Sequence, residues 1–438
     1  MQIVPTSLVR ISRYYMLTAV GYLLITLAIG VLRVLAPLPD DRIHWVPAIL
    51  SWVSFPIMGA YYQFFPTLQG RDLRFEKLTL PQYALVNLGV LGMLAAAALG
   101  NAAAFALAMT VYAAGALLFV ALILGNVGLS RLNLTLRFYL ASLGYFAVAV
   151  VLLLLREWGL GPGWVTRPLL LHLFVFGWAI LAIMGAEYSM VPMLQLKELR
   201  HPALADRQFY VAVAGVLGLA IGMATGDARF IAAAGALLLI AIGMFVYIIA
   251  ASLIAGPSRL PKLDISVRYI VVGLAYLVAT SLLGTLMGAA GWYALTPIHL
   301  HLGLIGMVSN TIFGAMYHIV PFVVWWEVYA PRLGTEQVPL LKQLYDERSA
   351  ERQLYGLNAG LLLMLAGFAF GLRPLLAAGG ALLLIVALAH LQQMLRVVGH
   401  RRRLRNGRPG NHETGMDRAS PEQSEGMNGI SARSRASR

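Results

Sequence analysis

Twelve long apolar runs, separated by short polar stretches, constrain this chain more than any other feature. Their approximate limits are 14–36, 44–66, 82–100, 103–126, 138–155, 169–193, 208–225, 229–255, 267–290, 297–323, 353–371 and 374–396. A helix needs roughly 20 apolar residues to cross the hydrocarbon of a bilayer. The runs are too long for barrel strands and lack their alternation. Only 12% of the residues are charged, against about 25% in a soluble domain. So little polar surface cannot face water. The expectation is an all-α integral membrane protein with twelve transmembrane helices. The third and fourth runs are the least separated, by little more than Gly100 and Asn101.

The net charge of +14 would suggest nucleic acid on a soluble protein. Here it has a topological explanation. Arg33, Arg42, Arg156, Arg167, Arg229 and Arg373 fall on one side of the spans, and the other 27 of the 33 basic residues fall on the opposite side. Basic residues concentrate in cytoplasmic segments. Both termini are therefore expected in the cytoplasm, across a bacterial-type inner membrane, with no nucleic-acid partner. Residues 1–396 read as the membrane domain and 397–438 as a basic, disordered cytoplasmic tail. The Arg401-Arg402-Arg403 cluster suits either anionic lipid headgroups or a plain topology signal. Cysteine is absent, which excludes disulfides, thiolate-bound zinc, iron–sulfur clusters and covalently attached c-type heme.

One phrase occurs three times. Gly59-Ala-Tyr-Tyr-Gln-Phe-Phe-Pro66, Gly185-Ala-Glu-Tyr-Ser-Met-Val-Pro192 and Gly314-Ala-Met-Tyr-His-Ile-Val-Pro321 share Gly-Ala-x-Tyr-x-x-x-Pro, in the second, sixth and tenth runs. The chain thus reads as three repeats of four helices, over about 14–126, 138–255 and 267–396. Gly-Ala offers a small face for close helix packing. The Tyr is expected at the membrane interface and the Pro at the helix exit. Glu187, inside the second phrase, reads as an interfacial cap or a remnant of a proton pathway.

Histidines precede each phrase near the opposite end of the same run. His44 and His299 lie 15 residues before Gly59 and Gly314, while His172 and His301 lie 13 before Gly185 and Gly314. Imidazole inside an apolar span is costly unless hydrogen-bonded or metal-bound. His299 and His301 differ by about 200° around a regular helix, so they face two different compartments and cannot chelate one ion. Two hemes flanking one helix, each taking one imidazole, would use that arrangement, with His44 completing one iron. His318 reads as a packing or interfacial residue, and His201, His390, His400 and His412 as lying in or near cytoplasmic regions and not ligands.

These motifs resemble the catalytic subunit I of heme-copper oxidases. His299-Leu-His301 with Gly314 and His318-Ile-Val-Pro321 is similar to that family's tenth helix, and His44 through Phe55-Pro56-Ile-Met-Gly59 is similar to its second. The resemblance implies twelve helices in three sets of four, a low-spin heme between His44 and His301, and a second, high-spin heme on His299. Arg373 resembles the family's arginine site for heme propionates. The family's copper needs one histidine in the sixth helix and a pair in the seventh. Trp178 and Ala179 stand about where the sixth-helix ligand should begin, and the run 208–225 has no histidine. His172 alone remains nearby as a metal ligand, and no copper is expected.

Three function classes follow. The first is a respiratory-type heme protein that passes electrons through a bis-histidine low-spin heme, with membrane or periplasmic partner subunits in the lipid bilayer. Its resemblance is to an oxidoreductase, while the ligands for oxygen reduction at a second metal are missing. The second is a non-catalytic accessory or gas- or redox-sensing protein of the same fold. The third, a small-molecule transporter, lacks the inverted repeat common in such folds.

Overall fold

The computed structural model describes residues 6–405, apart from 39, 71, 129–131, 257–259 and 261. Among the described residues, twelve helices are long and apolar enough to cross a membrane: α1 (Arg10–Leu35), α2 (Arg42–Gln69), α3 (Glu76–Ala98), α4 (Ala102–Leu124), α5 (Leu134–Glu157) and α6 (Arg167–Leu194). They continue as α7 (Pro202–Thr225), α8 (Ala228–Ile254), α9 (Ile265–Ala290), α10 (Tyr293–Val328), α11 (Glu347–Phe370) and α12 (Arg373–His400). The close boundary between α3 and α4 holds because Gly100 takes a left-handed conformation (φ +64°). Asn101 then caps α4 by accepting from the Ala104 N–H at 3.0 Å. Asn133, Asp227, Asp264 and Asp346 cap α5, α8, α9 and α11 in the same way.

The spans form an inner group and an outer ring. The apolar windows of α2, α6 and α10 are 72, 78 and 83% buried, and no other span exceeds 56%. Around them, α3–α4, α7–α8 and α11–α12 pair as hairpins, and α1, α5 and α9 bridge from one hairpin to the next. Each repeat thus supplies one inner helix and three outer ones. The three-by-four organisation stands as expected.

The repeated phrase explains why the inner helices lie where they do. A Cβ on Gly59 would come within 2.9 Å of Tyr15 Cβ, one on Gly185 within 2.6 Å of Phe138 Cβ, and one on Gly314 within 2.7 Å of Tyr269 Cβ. In each repeat, glycine lets the inner helix close onto the repeat's first helix.

The tyrosines depart from expectation. Tyr62, Tyr188 and Tyr317 are at most 3% exposed and are not interfacial. Each donates to a buried glutamine on the following span: Tyr62 to Gln82 (2.9 Å), Tyr188 to Gln208 (3.1 Å) and Tyr317 to Gln353. A phenol can enter the core because its hydroxyl finds an acceptor there. The prolines are not helix exits either. Pro66, Pro192 and Pro321 lie inside their helices, which run on to Gln69, Leu194 and Val328.

The last helix continues to Arg405. The tail beyond Arg405, and Arg71, Arg131 and Arg259 from the charge pattern, lie outside the described residues.

Candidate cofactor compartments

Each inner helix changes winding below its histidines. Val46–Val53 in α2, Leu173–Ile180 in α6 and Leu302–Ser309 in α10 are π-helical, flanked by α-helix on both sides. Such widened turns are rare and concentrate at functional sites. After two of them a serine reaches back five residues to a carbonyl, Ser54 to Ile49 and Ser309 to Leu304, both at 2.8 Å. The same serines accept indole N–H bonds from a neighbouring repeat: Trp52 donates to Ser309 at 2.9 Å and Trp178 to Ser54 at 3.2 Å. No periodicity announces a π turn, so this registration of the three inner helices was not expected.

His299 and His301 precede the π turn of α10, on regular helix, and face opposite ways. His301 packs on Phe368 of α11, with ring centres 4.9 Å apart. His299 faces α9, where Thr280 meets it at both its carbonyl and its hydroxyl. A Cβ on Gly284 would lie 2.6 Å from His299 Cε1, so only glycine leaves room for that ring.

His44 occupies the matching place on α2. Its ring sits over Gly30 of α1, where a Cβ would lie 3.1 Å from His44 Cε1, beside the Thr26 backbone. Thr26-x-x-x-Gly30 and Thr280-x-x-x-Gly284 are the same cradle on the first helices of two repeats. His44 Nδ1 is buried with no hydrogen-bond partner. His44 and His301 interact electrostatically with each other, and both interact with Arg33. Arg33 also pairs with Asp41 at 3.0 Å. Arg373 is exposed in the first turn of α12. Arg33 was not singled out from sequence, because nothing in its neighbours shows that it lies beside two histidines.

His172 comes close to His299, their ring centres 6.0 Å apart and their planes within 20°. Three of the four imidazoles have their tautomer set by the backbone. Nδ1 of His301 meets the Pro297 carbonyl at 2.7 Å, Nδ1 of His172 the Pro168 carbonyl at 2.8 Å, and Nδ1 of His299 the Thr280 carbonyl at 3.0 Å. A carbonyl only accepts, so Nδ1 carries the proton and Nε2 carries the lone pair. Metal-ligating histidines are oriented in this way.

Other histidines settle elsewhere. His390 is fully buried in α12 against Phe313, with Nδ1 3.1 Å from Gln353 Oε1. His318 stacks on Phe322 as a packing residue. His201 and His400 meet Tyr247 and Tyr329. Trp178 points toward α2, α4 and α5, stacked on Phe146 at 4.5 Å. Among the described residues, no group of three or more His, Asp or Glu side chains converges to hold a metal ion.

Glu187 is no interfacial cap. It is 1% exposed, on a cavity of about 60 Å³ between the inner helices. Thr311 donates to Oε1 at 3.5 Å, and Oε2 has no partner.

No protein-family model matches the chain. An uncharacterized protein of Aquifex aeolicus (strain VF5) is 27% identical over 324 residues, covering 73% of this chain and 80% of that protein. Among solved structures, the chain superimposes on a heme-copper terminal oxidase, determined as a dimer by cryo-electron microscopy. The TM-score is 0.69 at 15% identity, over 90% of this chain and 84% of that one. The fold is that of heme-copper oxidase subunit I.

Proposed function

We propose that the chain is a respiratory-type membrane protein that holds heme between His44 and His301 and passes electrons through it. The observation that carries this reading is that His44 of α2 and His301 of α10 lie within electrostatic reach of each other, with His301 Nδ1 tied to Pro297. The donor set suits the group. A bare divalent ion generally takes four or more ligands, whereas a heme brings four of its own and needs only axial partners. Bound there, the iron supplies one-electron redox chemistry.

The protein's own residues would hold and shield it. Gly30 leaves room for the His44 ring, and Phe368 packs on His301. Arg33 places positive charge beside both histidines, where a propionate carboxylate would pair with it. Arg373, at the start of α12, is the second cationic candidate on that face. With both imidazoles as ligands, a heme held there would have no open position, so the site would transfer electrons and not activate a gas.

The positive-charge asymmetry supports cytoplasmic termini in a bacterial-type inner membrane, with the histidine ends of α2, α6 and α10 toward the periplasm. Electron-transfer partner subunits would then meet the protein in the bilayer or at that face. Trp178 in α6 and the absence of histidine from the α7 sequence are the grounds for reading a protein without the family's copper site, and so without four-electron oxygen reduction.

The test is a reduced-minus-oxidised spectrum of purified protein. A low-spin alpha band should be present and should vanish in His44→Ala and in His301→Ala. Protein that stays colourless after heme supplementation would defeat the reading.

A further inference from the structure

The internal repeat relates the four histidines in a way that the oxidase resemblance does not. Counting back from each phrase glycine, position −15 holds His44, Leu170 and His299 in the three repeats, and position −13 holds Val46, His172 and His301. Between the third and first repeats, the −13 histidine of one (His301) lies within electrostatic reach of the −15 histidine of the next (His44). Between the second and third repeats, the same two positions bring together His172 and His299. The indole bonds follow the same cyclic order, with position −7 donating to position −5 of the adjacent repeat (Trp52 to Ser309, Trp178 to Ser54).

The local settings match as well as the positions. His172 and His301 each anchor Nδ1 on a proline carbonyl four residues earlier, Pro168 and Pro297. His44 and His299 each rest on the glycine of a Thr-x-x-x-Gly cradle on their repeat's first helix. The ring separation also fits. Imidazoles on opposite sides of one metal have centres roughly 6 Å apart, given metal–nitrogen bonds of about 2 Å. His172 and His299 stand at 6.0 Å with nearly parallel planes.

We propose that His172 and His299 are a second axial pair, the counterpart by internal repeat of His301 and His44, so that the second heme of this protein is six-coordinate and closed to external ligands. This rests on the heme reading above and differs from the single axial ligand that the oxidase resemblance implies for His299. The protein then carries two electron-transfer hemes on either side of α10 and no gas-binding one.

The full chain, purified and supplemented with hemin, should contain two hemes by pyridine hemochromogen assay. Its dithionite-reduced form should give no carbon monoxide difference spectrum. His172→Gly should open one heme to carbon monoxide, and added imidazole should close it again, which a purely structural role for His172 would not produce. Should that variant fail to fold, the wild-type stoichiometry and carbon monoxide spectrum decide alone. Carbon monoxide binding to one heme per wild-type chain would overturn the proposal. So would one copper per chain in place of a second heme. A single heme that survives His172→Gly and His299→Gly but is lost with His44→Gly would overturn the second pair and leave the first site standing. No heme at all would defeat both.

Discussion

Gly185→Ala tests the packing on which the three-fold arrangement depends. The added methyl would lie 2.6 Å from Phe138 Cβ and 3.2 Å from the Thr135 carbonyl oxygen. Carbon atoms pack best at about 3.5–4.0 Å, so the first contact is short by about 1 Å. Phe138 Cβ is attached directly to the α5 backbone and cannot rotate away, so α5 and α6 must separate. That would also strain the bonds from Thr135 to the Gly185 carbonyl (2.8 Å) and Ser189 (2.7 Å). Overpacking of this kind costs about 1–3 kcal/mol. The proper control is Gly144→Ala on α5, where a Cβ meets nothing within 4 Å and helix propensity improves by up to about 1 kcal/mol. Thermal unfolding of the purified protein in one detergent, followed by tryptophan fluorescence, should show a clear fall in midpoint for Gly185→Ala and none for Gly144→Ala. Equal midpoints would refute the close-packing role of the repeated glycine.

Tyr188→Phe removes the donor to Gln208 Oε1 while Gln208 Nε2 keeps the Ala241 carbonyl; unfolding in detergent should show a loss of about 1 kcal/mol, and an unchanged midpoint would count against the tyrosine–glutamine bonds. Glu187→Met replaces a carboxyl that has one 3.5 Å bond and one unpartnered oxygen; relief of that unmet polar burial should raise stability by about 1–3 kcal/mol, and a lower midpoint would show that the carboxyl has a partner that Met cannot replace. At the loop before α2, burial opposes ionisation of Asp40, but hydrogen bonds and charge from Arg42 outweigh it and hold the carboxyl below its usual range. Its contribution to stability is therefore complete above the unfolded value of about 3.9 and is lost as pH falls through the lower folded value. Asp40→Asn should flatten that acid limb in a pH series of unfolding midpoints, and an unchanged limb would assign it to other carboxylates.

Much of the architecture is legible in the sequence because it rests on local signals. Apolar length marks the spans, and each described boundary falls within six residues of the expected one. The Gly-Ala-x-Tyr phrase marks the repeat, since a glycine needed for close approach must recur wherever that approach recurs. What stayed hidden depends on partners far along the chain. Nothing around Tyr317 shows that Gln353 will receive its hydroxyl, so an interfacial position was the natural expectation for an amphipathic ring. Arg33 and His390 were hidden for the same reason. The offsets −13 and −15 were visible, but which histidine meets which depends on the cyclic order of the repeats. That order appears only once α2, α6 and α10 stand together.

The third compartment, between the first and second repeats, shows why the other two can be specialised. The same positions there carry Val46 and Leu170, both buried. Deeper down, the space is filled by aromatic rings: Trp178 packs on Tyr61 with ring centres 5.3 Å apart, and Tyr61 stacks on Tyr139 at 4.4 Å. A core packed this way holds the first and second repeats together without a cofactor, since each buried aromatic pair adds about 0.5–1.5 kcal/mol beyond its area. The two histidine compartments follow a different logic. They place imidazoles half-buried in apolar helices, at a desolvation cost that backbone carbonyls offset only at the Nδ1 of His172, His299 and His301. Nε2 needs a further partner, which the hemes proposed above would supply. One repeat interface serves as scaffold, and the other two are free to carry chemistry.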